Sequence, residues 1–336
     1  MPRKRNPVPD GRGAPESALA AGEAAEDRGD YVQAAAAYAD VAEDSDPATA
    51  AEGHYRLGRV EWRQGRHKQA LESYERTLHA AREAGRPDLE ARAENGIGAV
   101  HYARGEYAQA RASYQLAMER TDDPLMIGRF LLNLGVIENI EGDLERALWH
   151  YLKARTLFRD NGDQRSELLA LHNLGMIHAD REEWEAAADA YDQCLSLCER
   201  LGNRSMIAKV LLNQAEVLAA RHAFDKAVRN CELSASISVE AGDEVGRGEA
   251  FRCQGYVHRL AGNAEPAERA LLEALRVAQR FRVKLLEAEV SREMWELKES
   301  GGDEAASQWR IRALELFREL GARREIGALE APPRAG

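Results

Sequence analysis

Residues 172–191 read HNLGMIHADREEWEAAADAY. Histidines and carboxylates this close together can hold a metal or move protons. The spacing does not support either use. Nothing here resembles HExxH or a converging triad, so no metal site is expected. The cysteines Cys194, Cys198, Cys231 and Cys253 form no CxxC pair. Cys194 and Cys198 lie one helical turn apart, where a disulfide within a helix is geometrically poor. They read as packed, free thiols in a reducing compartment. Gly96 and Gly98 begin a GxG, but His101 stands where the third glycine of a dinucleotide loop belongs. There is no Walker loop, no GxSxG and no kinase signature. The residue types point away from an enzyme and from any cofactor.

A different chemistry lies in the carboxamides. Asn133, Asn173 and Asn213 recur at intervals of 40 residues. Asn is a mediocre residue inside a helix, so three such placements need a reason. Each amide offers a donor and an acceptor and can pair with a peptide N–H and C=O together. A ladder of them would hold an extended chain by its backbone.

The elements that carry the ladder repeat with it. Compare LGVIENIEGDLERALWHY (134–151) with LGMIHADREEWEAAADAY (174–191). Similar segments begin at Leu57, Ile97, Gln214 and Gln254, and an earlier one at Ala21-Gly22. A fixed period of 36 to 40 residues is the signature of a solenoid. A small residue at position 8 (Gly22, Gly58, Gly98, Gly135, Gly175, Ala215, Gly255) lets a second helix approach. A turn glycine follows at Gly65, Gly105, Gly142 and Gly262. The second helix carries Ala70, Ala110, Ala147, Ala187, Ala227 and Ala267 at position 20, and Tyr38, Tyr74, Tyr114, Tyr151 and Tyr191 at position 24.

Small residues at 8 and 20 with an aromatic at 24, in register at least five times, resemble the tetratricopeptide repeat in its version of about forty residues. The later units depart from the pattern, with Cys231, Leu271 and Arg310 in place of the aromatic and Met294 in place of the glycine. The resemblance implies an all-α, right-handed superhelical solenoid of about eight antiparallel helix pairs, with first helices lining the concave wall. The division expected is a disordered, basic, Pro-rich leader over 1–15, a solenoid over 16–325 and a tail over 326–336. The stretch ARREIGALE (322–330) reads as a capping half-helix before Pro332-Pro333.

Function in a solenoid lies on the face that packing does not use. Val136 and Met176 at position 9, and Leu132, Leu169 and Leu212 nearby, are expected to be apolar and exposed along the groove. His172 is expected at its edge, with Arg129 and Lys209 beside the ladder. Arg56 and Arg59 at one end, and Arg252 and Tyr256 at the other, are expected to anchor flanking acidic residues. Repeats of this kind in Pins-type polarity adaptors and kinesin light chains carry groove asparagines that hold partner peptides, so the resemblance implies that role for Asn133, Asn173 and Asn213. Position 11 reads Glu61, His101, Glu138, His178, Leu218, His258, which suggests Glu–His pairs between neighbouring units.

The formal charge of −11 argues against a nucleic-acid partner, and no run is apolar enough to span a membrane. The partner expected is a protein or peptide, for a cytoplasmic adaptor or scaffold. Two alternatives are a peptide-sensing regulator and a self-assembling structural component.

Overall fold

The computed structural model describes residues 15–330; the greater part of the leader and residues 331–336 lie outside the described residues. Those residues form helices and turns only. The helices are α1 (Pro15–Asp27), α2 (Tyr31–Ala42), α3 (Pro47–Arg63), α4 (His67–Glu83), α5 (Pro87–Ala103), α6 (Tyr107–Glu119), α7 (Pro124–Glu141) and α8 (Leu144–Asp160). They continue with α9 (Gln164–Asp180), α10 (Trp184–Leu201), α11 (Arg204–Ala220), α12 (Phe224–Glu240), α13 (Glu244–Leu260), α14 (Ala264–Phe281), α15 (Lys284–Ser300), α16 (Ala306–Leu320) and α17 (Arg323–Glu330). Two compact units divide the chain, Met1–Ser166 and Glu167–Gly336. Each is a stretch of α-solenoid. Odd-numbered helices pack on the even-numbered helix that follows, and in the second unit α11 also touches α13, and α13 touches α15.

The sequence sets the helix boundaries by local chemistry. Asp30, Asp46, Asp123, Asp143, Asn203 and Asp243 stand before helices and accept a backbone N–H of the first turn. That satisfies a donor with no partner inside the helix. Pro47, Pro87 and Pro124 open helices where their missing N–H costs nothing. The hairpin turns need one residue in the left-handed region, and Gly65, Gly105, Gly142 and Gly262 supply it. In two hairpins Glu182 and His222 take that conformation instead, each with φ of 58°.

Inside each hairpin the small and large positions interlock. The position-20 alanines are fully buried and the position-24 tyrosines nearly so. A Cβ added at Gly175 would lie 2.3 Å from the Tyr191 ring, and one at Gly135 would lie 2.5 Å from Tyr151. The glycine of the first helix is thus the seat of the tyrosine from the second. At Gly255 the seated side chain is Leu271, so that hairpin keeps the geometry with an aliphatic residue. In the second unit α17 closes the stack: Leu329 is buried with Phe317, and the Arg310 guanidinium donates to the Leu329 carbonyl at 2.9 Å.

The position-11 column differs from the expectation of pairs between units. His101 Nδ1 meets Glu106 at 2.5 Å, and His178 Nδ1 meets Glu183 at 2.6 Å. Both partners lie five residues on in the same chain, because the hairpin turn brings the start of the second helix back beside position 11. Glu61 instead accepts from Ser73 Oγ at 2.7 Å, and Glu138 accepts from Arg111 Nε at 3.1 Å.

Candidate functional site

Some of the residues singled out along the first helices line two hollows, one in each unit. In the first unit, Arg56, Arg59 and Arg129 line a hollow of about 260 Å³ with Tyr55, Arg92 and Asn95. In the second unit, His172, Met176, Lys209, Asn213 and Arg252 line a larger hollow of about 530 Å³. Its walls come from α9, α11 and α13, and its floor includes Ile237 of α12. Met176 is exposed, Leu212 half-buried and Ala208 buried, so the lining is largely apolar. Asn133, Asn173, Val136, Leu132 and Tyr256 line neither hollow.

Several single residues stand differently from expectation. Leu132 is buried rather than exposed, because its side chain packs into the stack; Leu169 is exposed as expected. The arginine heads are already engaged. Arg56 bonds to Glu23 and Glu52, and Arg59 lies 3.6 Å from Glu26 and stacks over Tyr55 at 5.9 Å. Arg252 bridges two helices, 3.4 Å from Glu216 and 3.3 Å from Glu289. Tyr256 is half-buried beneath Arg259, whose guanidinium lies 5.6 Å from the ring centre. Their cationic charge is spent within the fold, where a guanidinium taken out of water needs a carboxylate. Arg129 is looser, mostly exposed and 3.6 Å from Asp163. Lys209 is exposed and has no carboxylate partner among the described residues.

All three ladder asparagines are half-buried. Asn133 donates to Asn95 Oδ1 at 3.0 Å, and Asn213 Nδ2 lies 3.0 Å from His172 Nε2. An amide N–H is a donor, so His172 accepts at Nε2 and carries its proton on Nδ1. Asn95 and His172 both occupy position 5 of the preceding unit. Position 6 therefore reaches back to position 5 of its neighbour, a contact that sequence spacing did not reveal.

Position 6 also meets the position-24 side chain of the preceding hairpin. A Cβ at Gly96 would lie 2.4 Å from Tyr74, Arg56 sits 6.0 Å from the Tyr38 ring, and Asn213 hydrogen-bonds Tyr191. Cys253 meets Cys231 in the same way, within one buried cluster. The departures at 24 of one unit and at 6 of the next occur together, and this co-occurrence was the available signal. Burial pushes Tyr38 up to about 12 and raises Tyr191 well above the ordinary phenol value. Burial lowers His172 most, its bond to Asn173 opposes that, and the charge of Lys209 lowers it further. The imidazole is therefore neutral at pH 7.

Among the described residues no group of three side chains is placed to hold a metal ion, and no helix is long and apolar enough to cross a membrane.

Residues 49–123 and 127–200 match the tetratricopeptide repeat family model. A stretch of 102 residues is 33% identical to regulatory protein AfsR of Streptomyces griseus, covering 30% of this chain and 10% of that protein. A stretch of 92 residues is 32% identical to the photosystem I assembly protein Ycf3 of Synechococcus elongatus, covering 27% of this chain and 53% of Ycf3. The chain thus spans a tenth of the one relative and about half of the other. The crystal structure of a Rap protein complexed with competence and sporulation factor shares the fold, with a TM-score of 0.61 and 14% identity over 94% of this chain and 93% of that one. Hairpins with the same glycine-seated side chain lie within and beyond the matched residues. Over those matched residues the chain is built of tetratricopeptide repeats.

Proposed function

We propose that the chain is a protein-interaction scaffold that binds an extended peptide segment of a partner along its first helices, with the hollow of the second unit as the principal docking site. The observation that carries this reading is the convergence of Met176, Lys209, Asn213 and His172 on one largely apolar hollow of about 530 Å³. A space of that size takes aliphatic side chains of a peptide, and polar groups at its edge fix the main chain. The Rap protein of similar fold was solved with competence and sporulation factor, and Ycf3 is an assembly protein; both support a partner of protein or peptide class. Asn213 contributes through its free amide valences, since one donor is committed to His172. Asn173 supports the same seam from α9. Asn133 belongs to the first unit, where it orients Asn95 at the edge of the smaller hollow.

Peptides selected by display against the full chain test the proposal. Met176→Glu puts a charge into the hollow and is expected to weaken such peptides by about tenfold or more, about 1.4 kcal/mol. Undiminished binding by Met176→Glu together with the Asn133/Asn173/Asn213→Ala triple variant would remove the hollow and the ladder from the account. A regulatory role for the bound peptide is the second reading, favoured by the stretch shared with AfsR, a regulatory protein.

A further inference from the structure

In the second unit each second helix is covered by the first helix that follows it. Ala188 of α10 packs on the cluster that holds Val217 of α11, and Val228 of α12 on the cluster that holds Val257 of α13. Their counterpart on α16, at the same place in the repeat, is Ser307, and it is exposed. The helix that follows α16 covers less of it. α17 has eight residues, where α11, α13 and α15 each have seventeen. Leu329 of α17 packs with Phe317 towards the far end of α16, while Ser307 and Ile311 near its start stay open. A hollow of about 590 Å³ lies there, walled by Trp295 of α15 and by Ile311 and Leu314 of α16. Ile311 is 58% exposed.

The rim of this hollow is acidic. Glu299, Asp303 and Glu304 line it, and of its lining residues only Arg310 is a cation. The Arg310 guanidinium lies 5.4 Å from the Trp295 ring centre and donates to the Leu329 carbonyl at 2.9 Å rather than to a carboxylate. Asp303 is 3.4 Å from Lys298, and Glu299 accepts from Trp295 Nε1. Glu304 is exposed, with no cation beside it among the described residues. Open apolar side chains next to carboxylates in excess suit an occupant of the opposite charge that carries its own apolar face. A helix suits the space, because a full-length first helix fills the equivalent place after α10, α12 and α14. We propose that this open end of the second unit docks a short amphipathic helix of a partner protein. Aliphatic side chains of that helix pack on Trp295, Ile311 and Leu314, and a Lys or Arg beside them meets Glu299 and Glu304. The surface shares no lining residue with the hollow around Met176, so it stands independently of the peptide-docking reading.

The test uses the full chain and two blocked probes. One is acetyl-Ala-Leu-Arg-Ala-Leu-Ile-Arg-Lys-Leu-Ala-amide, whose leucines and isoleucine share one helical face. The other carries Glu in place of its Arg and Lys residues. Calorimetry reads affinity at low and at raised salt. The basic probe is expected to bind at least about tenfold more tightly than its acidic counterpart, with a gap that narrows as salt screens the rim. Ile311→Ser, at an exposed position that leaves the fold intact, should weaken the basic probe by about fivefold or more. The Glu299→Gln/Glu304→Gln double variant should weaken the basic probe and spare the acidic one. Met176→Glu, in the other hollow, should change neither. Equal binding of the two probes, no binding of either, or binding untouched by Ile311→Ser overturns the proposal. So does binding of the basic probe only after residues 331–336 are removed, which would make this chain's own end the occupant. Self-association of the chain that Ile311→Ser abolishes, read by sedimentation, would assign the surface to a second copy and overturn the proposal as well.

Discussion

Asn213 belongs both to the stack and to the lining of the proposed docking hollow. It is half-buried, bonds to His172 across the gap between α9 and α11, and meets the Tyr191 hydroxyl. Replacing it by Ala leaves the imidazole and the phenol each short of a partner. Asn213→Ala is therefore expected to lose about 1–2 kcal/mol of stability, read by urea unfolding, in addition to any effect on binding. This corrects the simplest view of the ladder. The repeat spacing showed that the asparagines share a helix position, but it did not show that position 6 touches the preceding hairpin. That contact depends on how far one hairpin is offset from the next, and spacing along the chain does not encode the offset. The same limit applies to Arg56, Arg59 and Arg252. Their types suggested free anchors, whereas Glu52 on the same helix as Arg56, and Glu23, Glu26, Glu216 and Glu289 from neighbouring helices, already hold them.

At the scale of the element, the hairpin is the unit that the sequence describes well. Gly at position 8, Ala at 20 and Tyr at 24 predict a small seat and a large occupant, and the ring of Tyr191 does sit over Gly175. Gly175→Ala pushes a methyl group into that ring, so a loss of about 1–3 kcal/mol is expected, measured as a lowered unfolding midpoint. The neighbouring turn gives a contrasting case. Glu182 adopts φ of 58° where other hairpins place glycine. Glu182→Gly removes backbone strain but adds entropy to the unfolded chain, and the two nearly offset. A change within about 1 kcal/mol is expected, in contrast to Gly175→Ala. Some helix starts are equally readable, those with a capping Asp or Asn or an opening Pro, such as α3, α7, α11 and α13. The position-11 pairs were not, because His178 finds Glu183 through the turn geometry rather than through a neighbouring unit.

At the scale of the whole molecule, the buried phenols set an alkaline limit. Tyr38 and Tyr256 are pushed up to about 12 by burial, and Tyr74, Tyr114 and Tyr191 are raised further by the same cause. An unfolded tyrosine ionises near pH 10. Below that value both states hold the proton and stability is unaffected. Above it the unfolded chain loses protons that the folded chain retains, so stability falls as pH rises from about 10 towards 12 and beyond. Circular dichroism and tyrosinate absorbance followed together should show ionisation arriving with loss of helix. Early ionisation without unfolding would mean that the phenols are open to solvent.

The central claim concerns where a partner lies, and hydrogen exchange addresses it most directly. Exchange of the full chain is compared with and without a peptide selected by display. Slower exchange is expected in α9, α11 and the start of α13, around Met176, Lys209 and Asn213. Slowing confined to other helices, with those three unchanged, would contradict the claim.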